Sequence, residues 1–399
     1  NKKLTRLLLV TLEDPYNPRS WSGIPYNMRI ALETKVNNLS VVSNLKPRRT
    51  PVNVLLRVVC GGKKPRYPLY LTRAAQKQFA REVEAAIEKH RPDAILSISS
   101  HCLLYLNNPG IPTYMFTDAP WLAWKESYKP FDPSMPILGG RFAALEAKTA
   151  KRCTGLVYPS EWAASEAQKL YDVSSDKIHV QRMGANWYPS LTGDELKAVI
   201  QARPADRLDL LYVGKDWERK GGPLTLEVVR GLKNANVKNL CLHIVGCAPE
   251  VPSDIQDVVK IHGLLKVDDP QSGEKLRKLF LDSHFLIVPT RAECFGLVFA
   301  EAYAFGLPPI SRAVDAVPSI IEDGKTGILE DRHASAERYI ERIIALAKNR
   351  NAYLNMAFAA RGRYEETFNW DKFADGVTYI IDQQLEAFQA ATPVSQSAH

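Results

Sequence analysis

No hydrophobic run in this sequence approaches the ~18 residues that a membrane span requires, and Leu7 to Val10 is too short for the core of a signal peptide and reads as a first strand. Six cysteines are present, Cys60, Cys102, Cys153, Cys241, Cys247 and Cys294, but no CxxC pair, so the expectation is reduced, buried thiols in a cytosolic protein. Cys294 has no base beside it in sequence and reads as a packed thiol rather than a nucleophile. No GxGxxG follows the first strand, which argues against a dinucleotide oxidoreductase, and no GxxxxGK[ST] loop occurs. Zinc-finger, RRM and basic-zipper patterns are also missing, which leaves nucleic acid out of the expected partners.

What is present is an ordinary globular composition, 45% hydrophobic and 24% charged, in 399 residues, a length that points to two domains. Positive charge is concentrated at the front: residues 1–73 carry 14 Lys and Arg against Glu13, Asp14 and Glu33, a balance of +11 within a chain of +8. Such a patch suits an anionic membrane surface or an anionic acceptor, and equally a solvated face.

The richest stretch is Arg291 to Gly306, RAECFGLVFAEAYAFG. The run Phe285 to Pro289 before it suits a buried parallel strand, and Leu297 to Phe305 suits a helix stopped by Gly306. A strand, a tight turn and a helix in that order present free backbone N–H groups at the carboxyl edge of a parallel sheet, which is an anion site. Glu293 and Glu301 flank it as acceptors for hydroxyl groups, an arrangement that fits a sugar, a diphosphate and a ribose in line. Read alone, the same two acids also fit a cap residue and a surface residue of a core helix.

A second basic loop follows the apolar strand Leu208 to Val213: Gly214-Lys215-Asp216-Trp217-Glu218-Arg219-Lys220-Gly221-Gly222. Three cations in a glycine-bounded loop suit a diphosphate, and also a solvated loop. Earlier, strand Arg6 to Leu12 leads through Asp14 to Gly23 into a helix from about Pro25 to Val36, and Gly23 lets backbone approach a ligand. Thr72 to His90 reads as a helix, and Ala94 to Ile98, Ile111 to Phe116 and Leu156 to Pro159 as strands, the last followed by a helix capped by Ser160. Asp118 follows the third of these segments and suits either a turn or a sugar contact; His101 is the alternative contact or a packed ring, and Trp121 and Trp124 are stacking or core residues. A linker is expected near 187–204. In the second half, Leu240 to Val245 and Val259 to Leu265 read as strands and Ser272 to Asp282 as a helix, with three closing helices at about Ala334 to Lys348, Ala352 to Phe368 and Trp370 to Phe388. The small polar tail from Ala390 is expected to fray.

Strand and helix alternation in both halves gives an α/β class by itself. The E-x7-E segment, the basic glycine loop before it and the Gly-Leu-Pro strand after it together resemble the family-four retaining glycosyltransferases. That resemblance implies GT-B architecture: two Rossmann-like domains facing a cleft, 1–190 for the acceptor and 205–369 for the donor, with a last helix at about 370–390 crossing back. It implies transfer of a hexosyl-type group from a nucleoside-diphosphate sugar, a UDP-sugar being favoured, to a glycan or glycolipid acceptor, with retention. Glu293 would bind the donor sugar, Glu301 the ribose, and Arg219 and Lys220, with Lys215 where Arg is usual, the diphosphate. Phe295, Gly296 and Leu297 would supply amides, and Gly263 and Leu264 backbone against the base, with Gly23 approaching the phosphates. Many relatives place a His where this chain has Asp118; Glu293, Asp118 and Lys220 are the expected catalytic residues. No metal and no cofactor are expected, the place is the cytoplasm at the inner membrane face, and a catalytically silent nucleotide-sugar-binding subunit is the rival reading.

Overall fold

In the computed structural model, residues 4–48, 69–107, 110–131 and 139–391 are described. Much of the basic front of the chain, 1–3 and 49–68 with Cys60, lies outside them, as does the tail from 392. The chain forms two compact units, Asn1–Arg182 with Trp370–His399, and Met183–Asn369.

The first unit is built on β1 (Arg6–Thr11), β2 (Asn38–Val42), β3 (Ala94–Ile98), β4 (Thr113–Phe116), β5 (Gly155–Tyr158) and β6 (Ile178–Val180), in the order β2-β1-β3-β4-β5-β6. Every pair is parallel. The central strands are near-continuous apolar runs because helices cover both faces of such a sheet. Those helices are α1 (Ile24–Glu33), α2 (Arg73–His90), α3 (Trp121–Tyr128), α4 (Gly139–Arg152) and α5 (Glu161–Tyr171). Thr72 and Ser160 cap α2 and α5, accepting from the amides of Ala75 and Ala163 at 3.2 and 3.1 Å. The closing helix of the chain also belongs here. It spans Trp370–Ala391, packs on α1, sets Phe373 edge-on to Phe116 at 5.5 Å and ion-pairs Asp375 with Lys35 at 2.8 Å.

The second unit comprises α6 (Gly193–Ala202), β7 (Leu208–Val213), α7 (Gly222–Asn234), β8 (Leu240–Val245), β9 (Val259–Gly263), α8 (Pro270–Asp282), β10 (Phe285–Ile287), α9 (Leu297–Ala304), β11 (Pro309–Arg312), β12 (Ile328–Glu330), α10 (Ala336–Lys348) and α11 (Arg350–Glu366). Its sheet runs β12-β11-β10-β7-β8-β9, all parallel. The winding reverses between β7 and β10, and open α/β sheets bind ligands outside the carboxyl ends of strands at such a reversal. The chain enters this unit at Met183, earlier than the 205 that the sequence suggests. The reason lies in packing: Trp187 sits on Phe280 and Phe305 at 4.9 and 4.7 Å, and α6 packs on α11. The stretch read as a linker is thus part of the second core.

The described cysteines are all free, but only Cys102, Cys153 and Cys294 are buried; Cys241 and Cys247 are half-exposed. Among the described residues no helix is long and apolar enough to cross a membrane.

Candidate functional site

Two loops meet at the reversal in the second sheet, one after β7 and one after β10. Gly221 has φ +78°, and a Cβ there would stand 2.0 Å from the Pro289 carbonyl oxygen, so only glycine lets the loops approach this closely. They are then stitched together: the Arg291 amide donates to the Arg219 carbonyl at 2.7 Å, and the Arg219 guanidinium donates to the Ala292 carbonyl at 2.9 Å. This seam sets the first loop's cations beside the second loop's acid.

Lys220 Nζ is ion-paired with Glu293 Oε2, and Arg219 Nη1 lies 3.7 Å from the same oxygen. The three side chains are only 8% (Glu293), 13% (Lys220) and 15% (Arg219) exposed. Asp216 holds Arg219 from the other side, accepting from Nε at 3.1 Å. Lys215, at the start of the loop, is exposed. Two cations therefore converge on one carboxylate next to the start of α9. Gly296 caps that helix with φ +89°, and the first helical amide to donate is that of Phe299, to the Gly296 carbonyl at 2.9 Å. The amides of the turn ahead of it are the ones a helix start presents to an anion. Phe295 is buried, so it offers backbone rather than its ring.

Asp315 has φ +44° and accepts the Glu293 amide at 2.9 Å, while the Ala316 amide donates to the Glu293 carbonyl at 3.2 Å. The acid's backbone is thereby held from both sides. Nothing in the local sequence pattern marks this contact.

Glu301 is the single charged residue of α9, whose Phe299, Ala300, Ala302, Tyr303 and Ala304 are buried. Burial pushes its carboxyl up to about 7, against a hydrogen bond from Trp187 and the charge of Lys220, which both pull it down. Because the folded value lies above the unfolded one, its stabilising contribution is complete below pH 4.5 and is lost as pH rises through about 7. Glu301→Gln should therefore melt at the wild-type temperature at pH 4.5, but higher at pH 8, by an amount worth at most about 3 kcal/mol. Thermal melts across that range check this, and parallel curves for the two proteins would refute it.

Further along the same carboxyl edge three glycines line up. Gly214 follows β7, Gly246 follows β8 and donates to the carbonyl of Gly263 at 2.8 Å, and a Cβ on Gly246 would stand 2.7 Å from the Gly214 oxygen. Gly263 has φ +63° and open space where a side chain would go, and Leu264 beside it is exposed. Backbone alone forms this ledge, as a flat ligand would require.

In the first unit, Gly23 (φ +82°) ends a left-handed turn through Trp21 and Ser22 and starts α1. Asp118 follows β4, half-buried, and accepts the Ala119 amide at 3.0 Å. His101 is packed between Tyr70 and Phe142 at 4.9 and 5.0 Å, and burial drives its pKa down to about 3, so it is a neutral core ring. Of the two alternatives raised by the sequence, Asp118 is the one left with solvent access. Trp121 packs on Phe142 and Trp124 on Tyr128, at 5.1 and 5.7 Å. A residue that sequence reading passed over is Glu146, buried beneath them. Burial raises its carboxyl to about 7, although it accepts from the Trp121 amide at 2.9 Å and the Tyr171 hydroxyl at 2.5 Å.

With this geometry in view, known proteins can be set beside the chain. The model for "Glycosyl transferases group 1" matches residues 194–363, and that for "Glycosyltransferase Family 4" matches 26–186. Among curated relatives, D-inositol 3-phosphate glycosyltransferase 1 of Catenulispora acidiphila is 26% identical over 242 residues, 58% of this chain and 57% of the relative. The D-inositol 3-phosphate glycosyltransferase of Streptomyces avermitilis is 27% identical over 269 residues, 64% and 56% of the two chains. The match thus spans little more than half the length of these relatives. Solved structures that share the fold include sucrose-phosphate synthase from Thermosynechococcus elongatus (TM-score 0.66, 17% identity, 96% of this chain and 100% of that one). WaaG, a glycosyltransferase involved in lipopolysaccharide biosynthesis, gives a TM-score of 0.60 at 15% identity over 94% and 99% of the chains. Anabaena HepE in complex with UDP and glucose gives 0.57 at 14% over 97% and 100%.

Proposed function

Because the chain belongs to the family-four glycosyltransferases and has their GT-B fold, we propose that it moves a hexosyl-type group from a nucleoside-diphosphate sugar to an acceptor hydroxyl, with retention at the anomeric carbon. The observation that carries this reading is the convergence of Lys220 and Arg219 on Glu293 beside the start of α9. Without donor, Lys220 neutralises Glu293. A diphosphate arriving at the α9 amides competes for the lysine, and Glu293 is then free to accept hydroxyls of the sugar. Sugar and phosphate binding are coupled in this way through a single cation.

As the bond between the anomeric carbon and the diphosphate oxygen breaks, charge grows on the leaving group, and Lys220, Arg219 and the helix amides stabilise it. The acceptor oxygen attacks the same face, and its proton passes to the departing phosphate. Glu301 accepts from the ribose, and the Gly246 and Gly263 ledge meets the base. The relatives' name puts D-inositol 3-phosphate on the panel of acceptors to try, and a glycan or glycolipid acceptor is in keeping with WaaG, named for lipopolysaccharide biosynthesis.

Incubation with UDP-, GDP- and ADP-sugars, following nucleotide release with and without acceptor, tests the proposal. Release from one donor, accelerated by an acceptor, is the expected result. Donor binding without release from any combination would instead favour a silent binding subunit.

A further inference from the structure

A second cluster of ligand-type side chains lies toward the amino-terminal half of the second sheet, away from the carboxyl edge just described. Asp209 on β7 faces Cys241 on β8 in register, and His243 lies two residues further along β8. Side chains two apart on a strand share a face, so all three project from the same side of the sheet. His262 comes from the next strand, β9, with Nε2 3.0 Å from His243 Nδ1 and the two rings stacked at 22°.

We propose that Asp209, Cys241 and His243 form a binding site for a divalent late transition metal, zinc foremost, with His262 as the residue that orients His243. The carboxylate oxygen, thiol sulfur and imidazole nitrogen all lie within 4.8 Å of one another, and His243 Nε2 is 3.6 Å from Asp209 Oδ1. Tetrahedral zinc with bonds of about 2.0 to 2.3 Å holds its ligand atoms roughly 3.3 to 3.8 Å apart. The Asp209–His243 spacing already falls there, and small side-chain rotations bring in the sulfur. The other carboxylate oxygen, Oδ2, is engaged by Arg207, which leaves Oδ1 facing His243. A sulfur, nitrogen and oxygen set favours zinc over the hard cations.

The arrangement around His243 is that of a metal-bound imidazole. Nε2 faces the carboxylate and Nδ1 lies 3.0 Å from His262 Nε2, so with an ion on Nε2 the Nδ1 proton would be donated to His262. Asp209 is buried, but Cys241 and His243 are half-exposed, so an ion and a completing water can enter from solvent. A metal here ties β7 to β8 and has no part in the transfer chemistry. The site stands or falls independently of the proposed function.

Chelator-treated full-length protein should take up one equivalent of Zn2+ in competition with a chromophoric chelator, and its Co2+ form should show a thiolate-to-cobalt charge-transfer band. Cys241→Ser should remove the band and weaken binding at least tenfold. His262→Phe should keep the band but weaken binding about 10- to 100-fold, and Cys247→Ser should change neither. A native chain that takes up no stoichiometric metal, or shows no thiolate band, overturns the proposal even if Cys241→Ser fails to fold. A band that survives in folded Cys241→Ser overturns it as well.

Discussion

Glu293→Gln is expected to lower glycosyl transfer at least 100-fold while leaving the far-UV spectrum and cooperative unfolding in place. The side chain is 8% exposed and faces two cations, so in the free protein it balances charge, and with donor bound it is the acceptor nearest the anion site. Glutamine keeps its shape but loses the charge, and presents a donor amide to Lys220 where an acceptor is needed. The loss of one charged acceptor made strongest at the transition state is worth about 3 kcal/mol, or roughly two orders of magnitude in rate. Glu293→Ala should abolish transfer too, at an additional stability cost because Lys220 is left nearly buried and unpaired. Steady-state kinetics beside circular dichroism decides it, and undiminished turnover in folded Glu293→Gln would remove this residue from the mechanism.

Arg203→Met should destabilise the second unit by about 3 to 5 kcal/mol, the largest stability effect expected of any single change outside the seam. Arg203 is only 3% exposed and donates to the carbonyls of Leu281 at 2.9 Å, Phe305 at 2.9 Å and Gly306 at 2.7 Å, and to the Tyr353 hydroxyl at 3.0 Å. Its charge is balanced by the carboxyl ends of α8 and α9 rather than by an acid among these partners, which is where helix dipoles favour a cation. Methionine fills the space but strands three buried acceptors. Lysine restores the charge without the planar fork that reaches all of them, so Arg203→Lys should recover only part of the loss. Urea unfolding measures both variants; a change below about 1 kcal/mol would show that water replaces the guanidinium at no cost.

Arg203 also shows where sequence reading stops. It stands in a polar, irregular stretch that reads as a linker, and only the folded chain brings it under two helix ends from segments 78 and 103 residues away. Strands β3, β7 and β8 are legible to the residue because each is a short, mainly apolar run broken by a single polar residue, Ser97, Asp209 and His243 in turn. Strand β2 is not, since NLSVV is a half-covered edge strand with no such run. The helices α3 and α4, flanking residues outside the described ranges, also give no strong signal in sequence.

The site divides along the same line. Glu293, the basic glycine loop and Gly296 are local patterns and can be read directly. The Lys220–Glu293 pair joins positions 73 apart, and the meeting of Gly221 with Pro289 that creates it is a property of the sheet's winding. The Asp209, Cys241 and His243 cluster is hidden for a related reason, because its ligands come from neighbouring strands and a search for close cysteine spacing cannot find them.

Calorimetric titration of the native chain and of Lys220→Ala with UDP and UDP-sugars, with GDP and ADP counterparts as comparison, tests the central claim most directly. One charge-assisted contact to phosphate is worth about 1.5 to 3 kcal/mol, so the account predicts saturable binding of a nucleoside diphosphate to the native chain and a Kd raised roughly 10- to 150-fold by the substitution. Equal affinity in the two proteins, or no binding of any nucleoside diphosphate to the native chain, would contradict it.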